Sequence, residues 1–186
     1  METVQTGFIL KALNFAAQKH CNQRRKDQDA SPYINHPIAL ANLLWNETGV
    51  TDAIVIVAAL LHDTIEDTQT TPEELEQLFG QDVCLLVAEV TDDKSLPKHV
   101  RKQLQIDHAS SLSHRARLIK LADKISNLRD MVASPPANWS RDRRQEYFEW
   151  AKQVIDQIRG THPALEAIFD EVYIQGVTQL ASTQRP

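Results

Sequence analysis

Ala53-Ile54-Val55-Ile56-Val57-Ala58-Ala59-Leu60-Leu61 runs directly into His62-Asp63-Thr64-Ile65-Glu66-Asp67, and the reading of this join decides the fold. The β-branched residues at 54 to 57 suit a buried strand as well as a helix. Length and continuation decide between them. The apolar run extends through Leu61, Thr51 stands where a helix cap belongs, and no other segment offers a strand partner. A helix apolar all round belongs in the middle of a core. Its far end turns abruptly polar. If the helix continues, positions 62, 63, 66 and 67 fall on one face. Three carboxylates beside a histidine repel one another unless a cation sits among them. A solvated helix end with a capping carboxylate is the competing account of the same hexapeptide.

Working outward, helical periodicity recurs on both sides. Ile9, Ala12, Leu13, Ala16 and Ala17 mark a first helix, and Ile38, Ala41, Leu44 and Trp45 a second. Thr71-Pro72-Glu73-Glu74 supplies a threonine cap, proline at the first position and glutamate three residues after the cap, with Gly80 as the stop. An amphipathic stretch from Val83 to Val90 follows, and another helix begins near Pro97. Leu118, Leu121, Ala122, Ile125, Leu128 and Met131 stripe what reads as the longest helix, from about Leu112 to Ala133, stopped by Pro135-Pro136. Ser140 caps the next, which ends before Gly160. Pro163 starts a last helix to roughly Leu180, followed by a frayed tail from Ser182 to Pro186. The expectation is an all-α fold of about eight to ten helices, one domain spanning residues 1–186.

Composition narrows the classes of function. The 42% apolar content supports a core, and 24% charged residues without like-charge blocks argues against disorder. A net charge of −5 gives nucleic acid no general attraction, so any anionic ligand needs a local basic pocket. The Ala53–Leu61 run is about half the length that a membrane-spanning helix requires. The N-terminus lacks the pattern of a secretory signal, and Cys21 and Cys84 form neither a disulfide framework nor a CxxC site. A cytoplasmic protein with no membrane and no nucleic-acid partner is expected; the oligomeric state stays open.

Two further signals join the hexapeptide. Asn35-His36-Pro37 places a histidine at a helix entrance, and Leu121-Ala122-Asp123-Lys124 puts an aspartate within an apolar-striped helix. Singly, each is more often a satisfied or solvated group. Together His36, His62, Asp63 and Asp123 make a two-histidine, two-carboxylate set that suits manganese, iron or zinc. Such a site can leave positions open for water and substrate.

A separated histidine, a His-Asp pair ending an apolar helix and a later aspartate form a pattern that resembles the HD metal-dependent phosphohydrolases. Arg24-Arg25-Lys26-Asp27, Pro32-Tyr33-Ile34-Asn35-His36-Pro37, Ala58 to Asp67 and Lys120 to Leu128 are similar to the hydrolase domain of the RelA/SpoT alarmone enzymes. Thr91 to Lys98 and Gln145 to Ala151 look like the small stand-alone members, which include a metazoan SpoT homologue. The likeness covers about residues 7 to 160. It implies manganese-dependent removal of the 3′-pyrophosphate of guanosine tetra- or pentaphosphate in an all-helical domain. It further implies His36, His62, Asp63 and Asp123 as metal ligands, and Glu66 and Asp67 as the groups that manage protons and orient the nucleophile. Which of that pair is the base stays open. By the same resemblance Arg25 and Lys26 flank the guanine ring, Asn127 lies beside the nucleoside, and Lys98 and Arg143, with Tyr147 one turn on, meet phosphates. The chain is short for a synthetase, so the expectation is an enzyme that degrades the alarmone and does not make it.

Two alternatives stand beside this reading. The same chemistry can act on another nucleotide phosphorylated on its ribose, such as NADPH. A sensor that binds the alarmone without hydrolysing it needs cations for phosphate but no proton handling, and the intact Glu66-Asp67 pair speaks for turnover.

Overall fold

A computed structural model describes residues 2–182, which form ten α-helical segments and one π turn. In order these are α1 (Glu2–Lys19), α2 (Asn35–Asn42), the π turn (Leu43–Glu47), α3 (Ala53–Leu61), α4 (Thr64–Asp67), α5 (Pro72–Phe79), α6 (Gln81–Val90), α7 (Lys98–Ala109), α8 (His114–Ala133), α9 (Arg141–Asp156) and α10 (Pro163–Ser182). Among the described residues the extended pairing is confined to a single bridge, Arg24 with Pro32. No described helix is long and apolar enough to cross a membrane.

The ambiguous segment is a helix, and it sits at the centre. From Val55 to Leu61 every residue of α3 is buried, because α1, α2, α6 and α8 pack around it. A helix surrounded on all sides has no polar face to keep, which is why its sequence lacks amphipathic alternation. Its cap differs from the sequence expectation. Asp52 takes that role in place of Thr51: its backbone is extended and its carboxylate accepts from the Ile54 N–H at 3.0 Å. Asp52 also binds Arg115 at 2.8 Å, a second interaction that threonine has no charge to make.

The helix also does not run on to Asp67. It ends at Leu61, the chain bends at Asp63 (φ −99°, ψ 2°), and the single turn α4 follows. The Thr64 hydroxyl explains the break, since it donates to the Leu61 carbonyl at 2.7 Å and so satisfies an acceptor left over at the helix end.

Other ends follow the sequence closely. Thr71 and Ser140 accept from the N–H groups of Glu74 and Arg143, Gly80 ends α5 at a φ of 85° that side chains rarely adopt, and α8 starts at His114 in place of about Leu112, where the Ser113 hydroxyl accepts from the Ala116 N–H. At 20 residues each, α8 and α10 share the distinction of longest helix. On α10, Leu165, Phe169 and Val172 are buried, and Ile168 packs against the same core, so these residues face inward toward α8 and α9. Ser182 closes α10; the remainder of the expected frayed tail lies outside the described residues.

The loop from α1 to α2 is tied back on itself. The Arg25 N–H donates to the Ser31 carbonyl at 2.8 Å, that of Tyr33 to Gln23 at 3.1 Å, and the Asp27 carboxylate accepts from the Ser31 N–H at 2.9 Å. These bonds hold Arg25, Lys26 and Tyr33 against the mouth of the helical bundle.

Candidate active site

Three helices deliver three ligand-type groups to one point. His36 comes from the first turn of α2, His62 from the end of α3 and Asp123 from the middle of α8; one ligand atom from each lies within 4.8 Å of the others. Both histidines are buried, and their rings meet edge to face with centroids 5.2 Å apart. The far nitrogen of each ring is already engaged. His62 Nδ1 is 2.9 Å from the Ala59 carbonyl, and His36 Nδ1 is 3.2 Å from the Ser126 hydroxyl. Such bonds select the tautomer that leaves Nε2 with a lone pair for a ligand. His62 Nε2 is buried without a directed hydrogen bond: Asp63 Oδ2 lies 2.9 Å away, but out of line. An orphaned buried nitrogen between carboxylates is what a divalent cation site requires, and two imidazoles with a carboxylate are a donor set that fits one.

The charges are tuned by their neighbours. Burial opposes ionisation of Asp123, yet the Lys124 ammonium and the two imidazoles outweigh it and hold the carboxyl well below its usual range. Lys124 Nζ lies 3.0 Å from Asp123 Oδ2, while Asn127 donates to Oδ1 at 2.6 Å. Burial leaves the His36 imidazole neutral by lowering its pKa. For His62 burial pulls the same way, but Asp63 and Asp123 overcome it and push the ring up to about 9, so a cation taking Nε2 displaces a proton there while Nδ1 keeps its bond to Ala59. Asp63 borders the three-ligand group and receives a hydrogen bond from the Tyr33 hydroxyl.

Glu66 and Asp67 occupy the next turn. Glu66 accepts from the Asp92 N–H at 3.1 Å, and Arg101 and Lys94 stand 3.6 and 3.8 Å from its Oε1. Burial raises its pKa; the Asp92 N–H opposes this, and the carboxylates of Asp63, Asp92 and Asp67 reinforce it. Asp67 is paired with Lys94, and its carbonyl accepts from Gln23 at 2.7 Å.

His36, His62, Asp63 and Asp123 line a chamber of about 180 Å³ that also touches Glu66, Asp67 and Asn127. Next to it lies a larger one of about 480 Å³, walled by Arg25, Lys26, Trp139 and Tyr147. Arg25, Tyr33, Asp67 and Asn127 line both. Arg25 is positioned by Asn127 Oδ1 at 3.3 Å, by an ion pair with Asp130 and by the Tyr33 ring, 5.8 Å from its guanidinium carbon. Lys98 and Arg143 line neither chamber. They lie over the Trp139 ring, at 5.6 and 4.2 Å, and share a third cavity with Tyr147.

Tyr33, Ser126, Lys94, Arg101, Lys124 and Trp139 are site residues that the sequence reading did not single out. Ser126 carried a signal, because three residues after Asp123 is the same face of α8. Arg101 and Lys94 carried none, since their approach to Glu66 depends on where α7 and the loop before it pack.

The HD domain family matches residues 12–150 of the chain. Over 170 residues the chain is 55% identical to guanosine-3′,5′-bis(diphosphate) 3′-pyrophosphohydrolase MESH1 of Xenopus tropicalis, covering 91% of this chain and 95% of that protein. With the protein of the same name from Homo sapiens it shares 53% over 167 residues, 90% and 93% of the two chains. A solved structure described as a metazoan ortholog of SpoT that hydrolyzes ppGpp is similar at a TM-score of 0.88 and 52% identity, covering 90% of this chain and 94% of the other.

Proposed function

Since the chain belongs to the HD-domain family, and within it to the small alarmone hydrolases related to the metazoan SpoT-type enzyme, we propose that it cleaves the 3′-diphosphate from guanosine 3′,5′-bis(diphosphate). Water adds to phosphorus, the bond to the ribose 3′-oxygen breaks, and GDP and pyrophosphate leave. The observation that carries this reading is the convergence of His36, His62 and Asp123 in a chamber opening onto a nucleoside-sized cavity.

The proposed cation is manganese, held by His36, His62 and Asp123, with Asp63 of the same chamber as the proposed fourth ligand. When bound, it supplies Lewis acidity at a phosphoryl oxygen and acidifies water. The protein's own groups do the rest. Of the two carboxylates on α4, Glu66 is the proposed proton acceptor, because its raised pKa makes it the better base near neutrality. Asp67, tied to Lys94, borders both chambers and orients the water and the reacting phosphate. Arg25 and Lys26 are the proposed contacts to the guanine, a guanidinium being suited to stack on a base. Asn127 bridges Asp123 to Arg25 and so couples nucleoside placement to the metal ligand. Lys98, Arg143 and Tyr147 are proposed to meet a phosphate arm.

The test is incubation of chelator-stripped protein with guanosine tetraphosphate, with and without manganese, and separation of products by anion exchange. Manganese-dependent GDP and pyrophosphate are expected. Intact nucleotide under both conditions overturns the reading, and faster release of phosphate from NADPH reassigns the substrate.

A further inference from the structure

Gln105, on α7, has only half of its amide hydrogen-bonded. Its Nε2 donates to Asp92 Oδ2 at 2.7 Å, while its Oε1 is buried without a partner among the described residues. Turning the amide over does not relieve this. An ionised carboxylate only accepts, so Asp92 keeps the nitrogen toward itself and leaves the oxygen for another donor. A buried acceptor left open is costly until something that donates reaches it. Lys120, on the same wall, does not serve: its ammonium donates to the Val90 carbonyl at 3.0 Å.

The place of this open acceptor is set by its neighbours. The Asp92 N–H donates to Glu66 Oε2 at 3.1 Å, so one residue anchors both Gln105 and the proposed base. Arg101, one turn earlier on α7, stands 3.6 Å from Glu66 Oε1, which sets this face of the helix toward α4. Gln105 and Glu66 line the 180 Å³ chamber together with His36, His62 and Asp123. Behind the chamber, Val90, Asp92, Gln105 and Lys120 also border a cavity of about 270 Å³ between α6, α7 and α8, so Gln105 stands in the wall between the two. A polar chamber of that size has room for water, and a water molecule has two hydrogens to place. Glu66 and the Gln105 Oε1 are two acceptors on one wall.

We propose that Gln105 is a catalytic residue whose Oε1 accepts one hydrogen of the attacking water while Glu66 accepts the other. This rests on the nucleotide hydrolysis proposed above and deepens it. Held by both hydrogens, the water turns a lone pair to phosphorus. Its oxygen forms the new bond to phosphorus, and the hydrogen on the Glu66 side passes to that carboxylate as a proton. The bond from phosphorus to the ribose 3′-oxygen breaks, its electron pair leaves with that oxygen, and the oxygen takes a proton from solvent.

The experiment measures kcat and KM for guanosine tetraphosphate, and manganese affinity, in the parent and three variants. Gln105→Leu removes acceptor and donor together. Gln105→Lys keeps a donor for Asp92 and removes the acceptor. Gln105→Glu combined with Asp92→Asn reverses the bond between the two residues, leaves the net charge unchanged and keeps an acceptor for the water. In the first two variants kcat is expected to fall about tenfold to a hundredfold, with KM and manganese affinity within about twofold of the parent's, because the contact aligns the water and touches neither nucleotide nor cation. The reversed pair is expected to recover most of the loss. If Gln105→Leu does not fold, Gln105→Lys carries the comparison. A kcat for Gln105→Lys within twofold of the parent's shows that Gln105 merely braces Asp92 and overturns the proposal, and so does a loss shared equally by KM and manganese affinity. No turnover by the parent overturns the nucleotide reading itself, and the role of Gln105 with it.

Discussion

Ser126→Ala removes one hydroxyl that lies outside the ligand set, and its effect measures how far the ring of His36 is oriented by its surroundings. His36 is 4% exposed and neutral in the fold, so one ring nitrogen carries the proton. While Nε2 binds a cation, Nδ1 carries the proton and donates to Ser126 Oγ at 3.2 Å. In alanine's place that N–H is buried without an acceptor, at a penalty of about 1–2 kcal/mol. Without the cation the ring escapes the penalty by moving its proton to Nε2, where Asp123 Oδ1 stands 3.3 Å away. The loss therefore falls on the bound state alone and weakens metal affinity about fivefold to thirtyfold. Competition for manganese with a fluorescent chelator reads it directly. Thermal unfolding controls for damage to α8, and saturating manganese should recover most of the turnover. Affinity within twofold of the parent's, in a variant that folds normally, refutes the argument that Ser126 selects the ligating tautomer.

The remaining predictions test separate links. Glu66→Gln should keep metal and nucleotide binding while kcat falls about 10²- to 10⁴-fold, whereas His62→Ala should lose metal and activity together; normal turnover by Glu66→Gln removes Glu66 from proton transfer. Arg25→Ala should raise KM about tenfold, and an unchanged KM with a fallen kcat moves Arg25 from the base to the reacting phosphate. Gly176→Ala pits about 1 kcal/mol of helix propensity against about 1–3 kcal/mol of overpacking, because a Cβ there overlaps the buried Phe148 ring. Differential scanning calorimetry should show Tm lowered by about 2–4 °C, and a rise shows that the ring yields freely. Arg129 binds Glu47 through two bonds, at 3.0 and 2.8 Å, and holds its pKa below the usual value. Its stabilisation is present above the unfolded carboxyl value and lost as pH falls through the depressed one. Glu47→Gln should weaken the protein by less than about 1 kcal/mol at pH 7, this partly exposed pair being screened by solvent, with no difference at pH 2; a gap that persists there under urea unfolding rules out linkage as its source.

Much of this architecture was written locally. Thr71 and Ser140 begin their helices through side chains that reach three residues along the chain, so a reading of neighbours suffices for them. The same locality misled at Thr51 and at residue 64. Asp52 is fixed as the cap with help from Arg115, far along the chain, and the Thr64 hydroxyl ends α3 where periodicity alone runs on.

What the sequence determined by itself is the helical class, the buried α3 and the residue types that converge in the three-ligand group, because periodicity, capping and the pairing of His with Asp are properties of short stretches. Tertiary structure alone decided that His36 Nδ1 meets Ser126, that Asp63 borders the three-ligand group under the Tyr33 hydroxyl, and that Lys98 and Arg143 stand in a cavity apart from the metal chamber. Those outcomes depend on angles and distances between elements that are remote in sequence, which packing summed over the whole core and the hydrogen bonds it permits set together.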